Sequence, residues 1–317
     1  MNFIPAQVYG RGRSVVVLLA LAVTFLSGCV APIRVPISSD SRAQLGTVNG
    51  IVGLRQQEIG TDIIPSNLSN AMGSSGGAIG SIIGSIADAS IDNARAKKAE
   101  SAVKPIRDAL IDYQPGNVLA ADLQKALATV PGASPSHVDV RQVIDPETTA
   151  KWINGSGNAS VLLVTLNYKL SPNFDSIVIS AEASLHAGGN RLANIAQTKP
   201  DLPPLVYYND LSTTVALPGL NGPQSPEGMV TLWAADGGQP ARTALNAGLQ
   251  ELAAMIAYDL TAPAPLDGKL YKAPKDAETR QVTIIAAPPY QYGYVEHTAE
   301  GRAWLRLPSG ELAAIIQ

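Results

Sequence analysis

The chain of 317 residues contains a single cysteine, Cys29, and this is the residue whose type and position most clearly suggest chemistry. A thiolate is a nucleophile and a metal ligand, but one cysteine excludes a disulfide within the chain and a clustered thiolate metal site. Cys29 closely follows an apolar run from Ser14 to Leu26, which is preceded by Arg11 and Arg13. The run is shorter than the roughly 20 residues of a membrane-spanning helix and is typical of the apolar region of a secretory signal.

The four residues Leu26, Ser27, Gly28 and Cys29 match the lipobox, and this part of the chain resembles the bacterial lipoproteins. The resemblance implies that residues 1–28 are a signal peptide cleaved after Gly28, and that diacylglycerol is transferred to Cys29. Each buried acyl methylene would contribute about 0.8 kcal/mol to membrane attachment. By the sorting rule of the family, Val30 in place of Asp favours the periplasmic leaflet of the outer membrane. The alternative is an ordinary cleaved signal with an incidental cysteine.

The charge balance and the spacing of the histidines argue against a nucleic-acid-binding protein and against a metal-binding protein. The chain has 23 Lys and Arg against 26 Asp and Glu, and it lacks the basic stripe with which nucleic-acid binders displace counterions. His137, His186 and His297 are far apart and without metal-ligand spacing. We therefore expect no nucleic-acid partner, no metal and no cofactor.

A second nucleophile to consider is Ser75, which lies in Gly73-Ser-Ser-Gly-Gly77 and formally matches the G-x-S-x-G elbow of hydrolases. That elbow requires a buried strand before it, and the preceding PSNLSNAM is not such a strand. His297 follows in the right chain order, but nothing around it marks it as a base. We expect a protein that is not an enzyme, with a hydrolase of envelope polymers or lipids as the alternative.

The segment 71–91 is rich in glycine, and Gly76, Gly80 and Gly84 recur at intervals of four. On a helix these residues would share one face and allow a close approach of backbones. The segment resembles the glycine zippers of some envelope lipoproteins, which makes it a possible contact surface. The alternative is a flexible linker, because each glycine costs a soluble helix about 1 kcal/mol relative to alanine.

Three tyrosines near the C-terminus form a second possible contact surface. Tyr290, Tyr292 and Tyr294 alternate, so on a strand they would share one face, with Trp304 across the hairpin. Exposed aromatic side chains suit glycan strands or extended peptides. The alternative is that they fill the core, which is the ordinary use of aromatic residues.

The spacing of apolar and polar residues along the chain predicts the helices and strands that hold these residues. Residues 29–70 predict an N-terminal tether with short strands and a turn at Asn49-Gly50, and residues 92–262 predict an α+β domain. Its centre is an antiparallel hairpin over 159–187, followed by an amphipathic helix over 241–260. We expect a two-layer domain in which helices pack on an antiparallel sheet.

Residues 263–317 predict a linker and a small C-terminal β appendage, either a separate mini-barrel or an extension of the main sheet. Packing on the main domain is favoured, because some 50 residues are near the limit for a separate core. The sequence as a whole predicts an acyl-anchored envelope lipoprotein that binds or scaffolds a partner in the periplasm. The expected partners are the membrane through the lipid anchor, and other envelope proteins or glycan.

Overall fold

A computed structural model describes residues 34–61, 97, 99–142, 145–188, 204–219, 224–262, 266–267, 270–282 and 291–316. The helices are α1 (Ser39–Ala43), α2 (Lys104–Ala109), α3 (Pro115–Leu127), α4 (Pro146–Gly155) and α5 (Pro226–Thr261). The first strands are β1 (Gly46–Leu54), β2 (Gly60–Thr61), β3 (Ala133–Arg141), β4 (Ser160–Leu170), β5 (Ser176–His186) and β6 (Leu205–Ala216). The remaining strands are β7 (Leu266–Asp267), β8 (Leu270–Tyr271), β9 (Thr279–Val282), β10 (Gln291–Ala299), β11 (Arg302–Arg306) and β12 (Leu312–Ile316).

Within the described residues, ten strands form one sheet, in the order β3-β1-β4-β5-β6-β12-β11-β10-β9, with β2 paired to β4. The predicted α+β class is confirmed, and so is the central hairpin, in which β4 and β5 are antiparallel. The sheet is mixed, because β1 runs parallel to both β3 and β4, and β12 runs parallel to β6. Strands β7 and β8 pair with each other in a separate ribbon.

Helices α2, α3 and α5 pack on one face of the sheet and enclose the main core. Alternate residues of β4 point into this core and are fully buried, among them Leu162, Val164 and Leu166. The predicted apolar stripe of α5 is confirmed by the burial of Leu245, Leu249, Leu252, Met255, Ile256 and Leu260. Full burial of one such side chain contributes about 2 kcal/mol.

Helix α5 is interrupted at Ala235–Gly238, so that only its second half forms the long amphipathic helix predicted from the sequence. Asp236, Gly237 and Gly238 have positive φ angles of 49°, 67° and 80°, and Pro240 follows directly. Proline lacks the amide hydrogen that an uninterrupted helix would need at this position, and it starts helices readily. The second half therefore begins near Gln239 and runs along the sheet to Thr261.

The predicted turn at Asn49-Gly50 is wrong, because both residues lie inside β1. Gly50 is required there by the neighbouring strand: a Cβ atom would lie 2.7 Å from the Val138 Cγ2 atom of β3. The register of the two strands also shifts between Val48 and Gly50. The glycine marks a close approach of two strands, which is the other common meaning of glycine in a strand pattern.

The segment predicted to be a tether is packed against the domain from Arg34 onward. Arg34 is buried, and Val35 exchanges two backbone hydrogen bonds with Tyr208 of β6, with N–O distances of 2.8 and 3.0 Å. Ile37 and Leu45 belong to the main core. The predicted tether therefore ends before Arg34.

The C-terminal appendage extends the main sheet and does not form a separate mini-barrel. Strand β12 pairs with β6, with Leu312 opposite Leu211, and β11, β10 and β9 follow as an antiparallel meander. The turn between β11 and β12 is allowed by Gly310, whose φ of 94° lies in the left-handed region that favours glycine. Among the helices that the structure describes, none has the length and hydropathy needed to cross a bilayer.

Candidate functional site

The face of the sheet opposite helices α2, α3 and α5 carries the polar positions of the central strands. Side chains alternate between the two faces of a strand, so the neighbours of the core residues point to this open face. Helix α4 covers only one part of it, where Ile153 packs against Ile51 and Val161. The uncovered polar side chains come from β4 (Thr165, Asn167), β5 (Ser180, Glu182) and β6 (Asp210, Ser212).

These side chains line a cleft of about 230 Å³, whose rim is completed by Arg55, Leu307 and Glu311. We call it the sheet cleft. Ligand pockets for whole small molecules usually enclose about 300–1,000 Å³, so the sheet cleft suits one polar group presented by a larger partner. A second depression of about 380 Å³ lies beside the β10–β11 turn, and the charged groups among its described lining residues are the guanidinium groups of Arg280 and Arg302.

Two carboxylates meet in the sheet cleft. Glu182 of β5 and Asp210 of β6 are directly opposite each other in the register of the two strands. Like charges in this position destabilise a sheet, so each needs a compensating neighbour. Arg55 donates a hydrogen bond of 2.5 Å to Glu182, and the Tyr208 hydroxyl donates one of 3.0 Å to Asp210. The guanidinium therefore neutralises Glu182, whereas the donor that binds Asp210 among the described residues is a neutral hydroxyl.

The pKa of Asp210 in the sheet cleft is raised toward neutrality. Burial raises its pKa to about 6, and the charges of Glu311 and Glu182 add to the rise, while the hydrogen bond from Tyr208 and the charge of Arg55 oppose it. The same environment raises the pKa of the Tyr208 phenol, mainly through burial. A partly buried carboxylic acid with a pKa near neutrality, lying in a cleft, is typical of functional sites.

The helix-covered face holds a different arrangement around Asp259, near the end of α5. Asp259 accepts hydrogen bonds from Arg34 (2.8 and 3.3 Å), Arg306 (2.6 Å), Tyr207 (2.9 Å) and Asn209 (2.7 Å). Its side chain and those of both arginines have no exposed surface. Burial alone would raise the pKa of Asp259, but the charges of Arg306 and Arg34 hold it below its usual value. We call this set the Asp259 cluster.

The Asp259 cluster has a structural role, because the buried carboxylate binds side chains from parts of the chain that are far apart in sequence. Arg306 also forms a bidentate pair with Glu296, with both distances 2.9 Å, and donates to the Gly310 carbonyl oxygen at 3.0 Å. The cluster thus joins the N-terminal segment, β6, α5, β10 and the β11–β12 turn. Charged groups buried to this extent persist only when paired and hydrogen-bonded in this way.

Sequence reasoning singled out neither group of residues. Asp259 did carry a signal, since it is three residues after Ile256 and seven after Leu252 and so lies on the buried stripe of its helix. A carboxylate in that position predicts a buried cation. Asp210 carried a weaker signal, because it is a charged residue among the alternating polar positions of a strand. The register of the strand that pairs with it could not be found from the sequence alone.

Most of the residues proposed from sequence lie outside the described residues. This holds for the lipobox residues Leu26, Ser27, Gly28 and Cys29, for Ser75, for Gly76, Gly80 and Gly84, and for Tyr290. Tyr292 lies in β10, but its side chain is likewise outside the description. Those predictions stay as predictions.

Tyr294 and Trp304 are described, and they are not neighbours across the hairpin. Tyr294 is half-buried, lies opposite Arg306 and has its ring centroid 5.8 Å from that of Tyr271. Trp304 lies opposite His297 and is buried, with its indole nitrogen donating to Glu251. Trp304 therefore belongs to the core, which was the alternative considered for the aromatic residues.

Within the described ranges, no group of three or more histidine, cysteine, aspartate or glutamate residues is arranged to hold a metal ion. The residues that line the sheet cleft include hydroxyl, amide, carboxylate and guanidinium groups, and these can bind through hydrogen bonds and charge. Comparison of the chain with models of protein families and with curated proteins found no match.

Proposed function

We propose that this protein is an acyl-anchored lipoprotein of the bacterial cell envelope that binds or scaffolds another envelope component through the sheet cleft. The anchor is Cys29, and its place is the periplasmic leaflet of the outer membrane. The observation that carries the binding role is a sheet covered by helices on one face, with a polar, partly buried cleft on the other. The L-S-G-C sequence supports the anchor.

The spacing of the polar groups indicates the kind of partner. Neighbouring strands lie about 4.8 Å apart, and residues on one face of a strand repeat about every 6.7 Å. Thr165, Asn167, Ser180 and Ser212 thus present hydroxyl and amide groups at intervals comparable to those between the polar groups of an extended polymer. We therefore propose a glycan strand or an extended segment of another envelope protein as the partner.

The charges of the sheet cleft indicate which chemical group of the partner binds there. Glu182, Asp210 and Glu311 bring three carboxyl groups against the one guanidinium of Arg55. Above the pKa of Asp210, which is about 6, the cleft carries excess negative charge and favours a ligand that presents an amino group. Below that pH the attraction weakens because Asp210 takes up a proton.

Photo-crosslinking in intact envelopes tests the binding role. A photoreactive amino acid is placed at Ser212 in the sheet cleft and, in a matched control, at Thr129, which is exposed at the end of α3. We expect a discrete adduct from position 212 that the Asp210→Asn variant weakens, and no such adduct from position 129. Equal adducts from both positions, or one from position 129 alone, would contradict the proposal.

A hydrolase of envelope polymers is the second candidate, because the sheet cleft contains a pair of carboxyl groups. Asp210, with a pKa of about 6, has the protonation behaviour of a general acid, and Glu182 lies directly opposite it. The residues that line the cleft include no histidine. Turnover of purified cell-wall polymer or phospholipid between pH 5 and 8, lost in both Asp210→Asn and Glu182→Gln, would favour this candidate over binding alone.

A further inference from the structure

We infer that the end of the domain at which the chain enters lies against the phospholipid bilayer, so that the sheet cleft opens beside the membrane surface. We call this end the entry surface; it consists of Val35, Leu270 and the half-exposed residues Pro308 and Ser309 of the β11–β12 turn. The inference rests on the proposed acylation of Cys29. It adds an orientation and a second contact, with lipid headgroups, to the proposed function.

The first step is that the chain is fixed to the domain from Arg34 onward. The Arg34 guanidinium contacts both carboxylate oxygens of Asp259, at 2.8 and 3.3 Å, and its side chain is completely buried. Val35 then continues as a backbone partner of Tyr208. Because β12 pairs with the same edge of β6 from Leu211 onward, Val35 occupies the remaining part of that edge.

The second step is the short distance along the chain to the proposed anchor. Cys29 is five residues before Arg34, and five residues span at most about 18 Å when fully extended. The described residues from Arg34 onward number about 210, and a compact domain of that size has a radius of gyration near 17 Å and hence a diameter of about 44 Å. The connection is much shorter than the domain, so the bilayer that holds the acyl chains must face the side on which Arg34 enters.

The third step is the chemistry of the entry surface. Large apolar side chains are exposed at two of its positions, Val35 (37%) and Leu270 (58%). Leu270 is held there by the next residue, Tyr271, whose amide donates to the Pro308 carbonyl oxygen at 2.6 Å. The exposed Lys272 follows and is able to reach headgroup phosphates. Apolar tips beside a basic residue are suited to the boundary between headgroups and acyl chains.

The fourth step connects the entry surface to the sheet cleft. Leu307 and Glu311 line the cleft and flank Gly310, and the absent side chain of Gly310 leaves room for Arg34: a Cβ atom would lie 2.9 Å from the Arg34 Cβ atom. Tyr208 of β6 also connects the entry surface to the sheet cleft, because its backbone binds Val35 and its hydroxyl binds Asp210. One end of the cleft is therefore part of the membrane-facing end of the domain.

Fluorescence quenching in vesicles tests this orientation. The acylated protein is reconstituted into vesicles of phosphatidylethanolamine and phosphatidylglycerol that contain a lipid with a nitroxide on its headgroup. A fluorophore is attached to a single new cysteine, either Leu270→Cys on the entry surface or Ile111→Cys as the control. Acylation consumes the thiol of Cys29, so the new cysteine is the only free one.

The control is matched, because Ile111 is also a large, exposed apolar residue, at 85%. It lies two residues after Ala109, whose carbonyl oxygen accepts a hydrogen bond from Arg242 near the start of the second half of α5. Arg242 precedes Asp259 by 17 residues of that helix, a distance of about 25 Å at 1.5 Å per residue. The two labels thus report on opposite ends of the helix and require no change in the core.

We expect the label at position 270 to be quenched several-fold more strongly than the label at position 111, with both proteins floating with the vesicles. Flotation with equal quenching, or with stronger quenching at position 111, would overturn the orientation and leave the acylation intact. Failure of both proteins to float would overturn the acylation, and with it this inference.

Discussion

Two aspartates bound to neighbouring residues of β6 show how the two faces of one sheet differ. Asp259 lies on the helix-covered face, where Tyr207 and Asn209 donate to it and two guanidinium groups compensate for its burial. Asp210 lies on the open face, where the Tyr208 hydroxyl is its donor and the guanidinium in the cleft, Arg55, binds Glu182 instead.

Burial has opposite outcomes for the pKa of these two carboxylates, because their charged neighbours differ. Desolvation acts on both groups, but at Asp259 the charges of Arg306 and Arg34 outweigh it and the pKa falls. At Asp210 desolvation prevails and the pKa rises to about 6. The first carboxylate keeps its charge and holds the fold together, whereas the second changes its charge near neutral pH and is free to respond to a ligand.

The largest expected effect comes from placing a charge on the helix-covered face. Val164 is fully buried in the main core, whereas its neighbour Leu163 is half-buried on the open face near α4. Val164→Asp should cost several kcal/mol, comparable to the whole stability of a domain, because the new carboxylate has no partner. Leu163→Asp should cost less. Denaturant unfolding measures both, and equal losses would contradict the assignment of faces.

Breaking the Asp259 cluster should have the next largest effect. Asp259→Ala leaves Arg34 and Arg306 buried without their shared partner, which should lower the free energy of unfolding by about 3–5 kcal/mol. The control is Asp108→Ala, which removes the exposed pair of Lys104 and Asp108 and should cost less than about 0.5 kcal/mol. If both variants unfold at the same denaturant concentration, the cluster does not stabilise the fold as described.

Asp210 should make the stability of the protein depend on pH between about 4 and 6. The folded state binds the proton more tightly, with a pKa of about 6, than the unfolded chain, with a pKa of about 3.9, so the free energy of unfolding falls as the pH rises through this window. Asp210→Asn removes this loss and should stabilise the protein at pH 7 by about 1 kcal/mol, a value reduced for the partial exposure of the side chain.

The stability of the Asp210→Asn variant is compared with that of the wild type at pH 4 and at pH 7. At pH 4 both side chains are largely uncharged, so the two proteins should be nearly equal in stability. Asp276→Asn, at an exposed position, serves as the control for removing a charge. The same difference between the variant and the wild type at pH 4 and at pH 7 would show that Asp210 titrates as an ordinary surface carboxylate.

The smallest expected effect concerns the hydroxyl group of Tyr208. Its hydrogen bond lowers the pKa of Asp210, so Tyr208→Phe should raise that pKa further above its present value of about 6. The titration of the Asp210 carboxyl carbon, followed by NMR, measures the shift. A fall in the pKa would mean that the hydroxyl does not donate to this carboxylate.

The sequence allowed the fold class and the central elements to be predicted, because the signals there are local. Alternation in 159–187 predicted the hairpin, and the 3.6-residue period after Ala241 predicted the buried stripe of α5. Parallel pairing was missed, since β1 meets β4 across more than a hundred residues of chain. Nothing local in either strand specifies such a partner.

The candidate site was less predictable than the fold for the same reason. Glu182 and Asp210 are opposite each other only because β5 and β6 have a particular register, and Arg55 reaches them from the end of β1. Arg34 looked like part of a tether, because its partner Asp259 is 225 residues away. Charges that meet through tertiary contacts leave no spacing in the sequence.

The chemistry of the mature N-terminus tests the proposed lipid anchor most directly. The protein is isolated from membranes, and its N-terminal peptide is analysed by mass spectrometry. With this anchor, we expect a chain that begins at Cys29 and carries acyl groups on that cysteine. A chain that still begins at Met1, or a mature terminus after Cys29 without lipid, would contradict it.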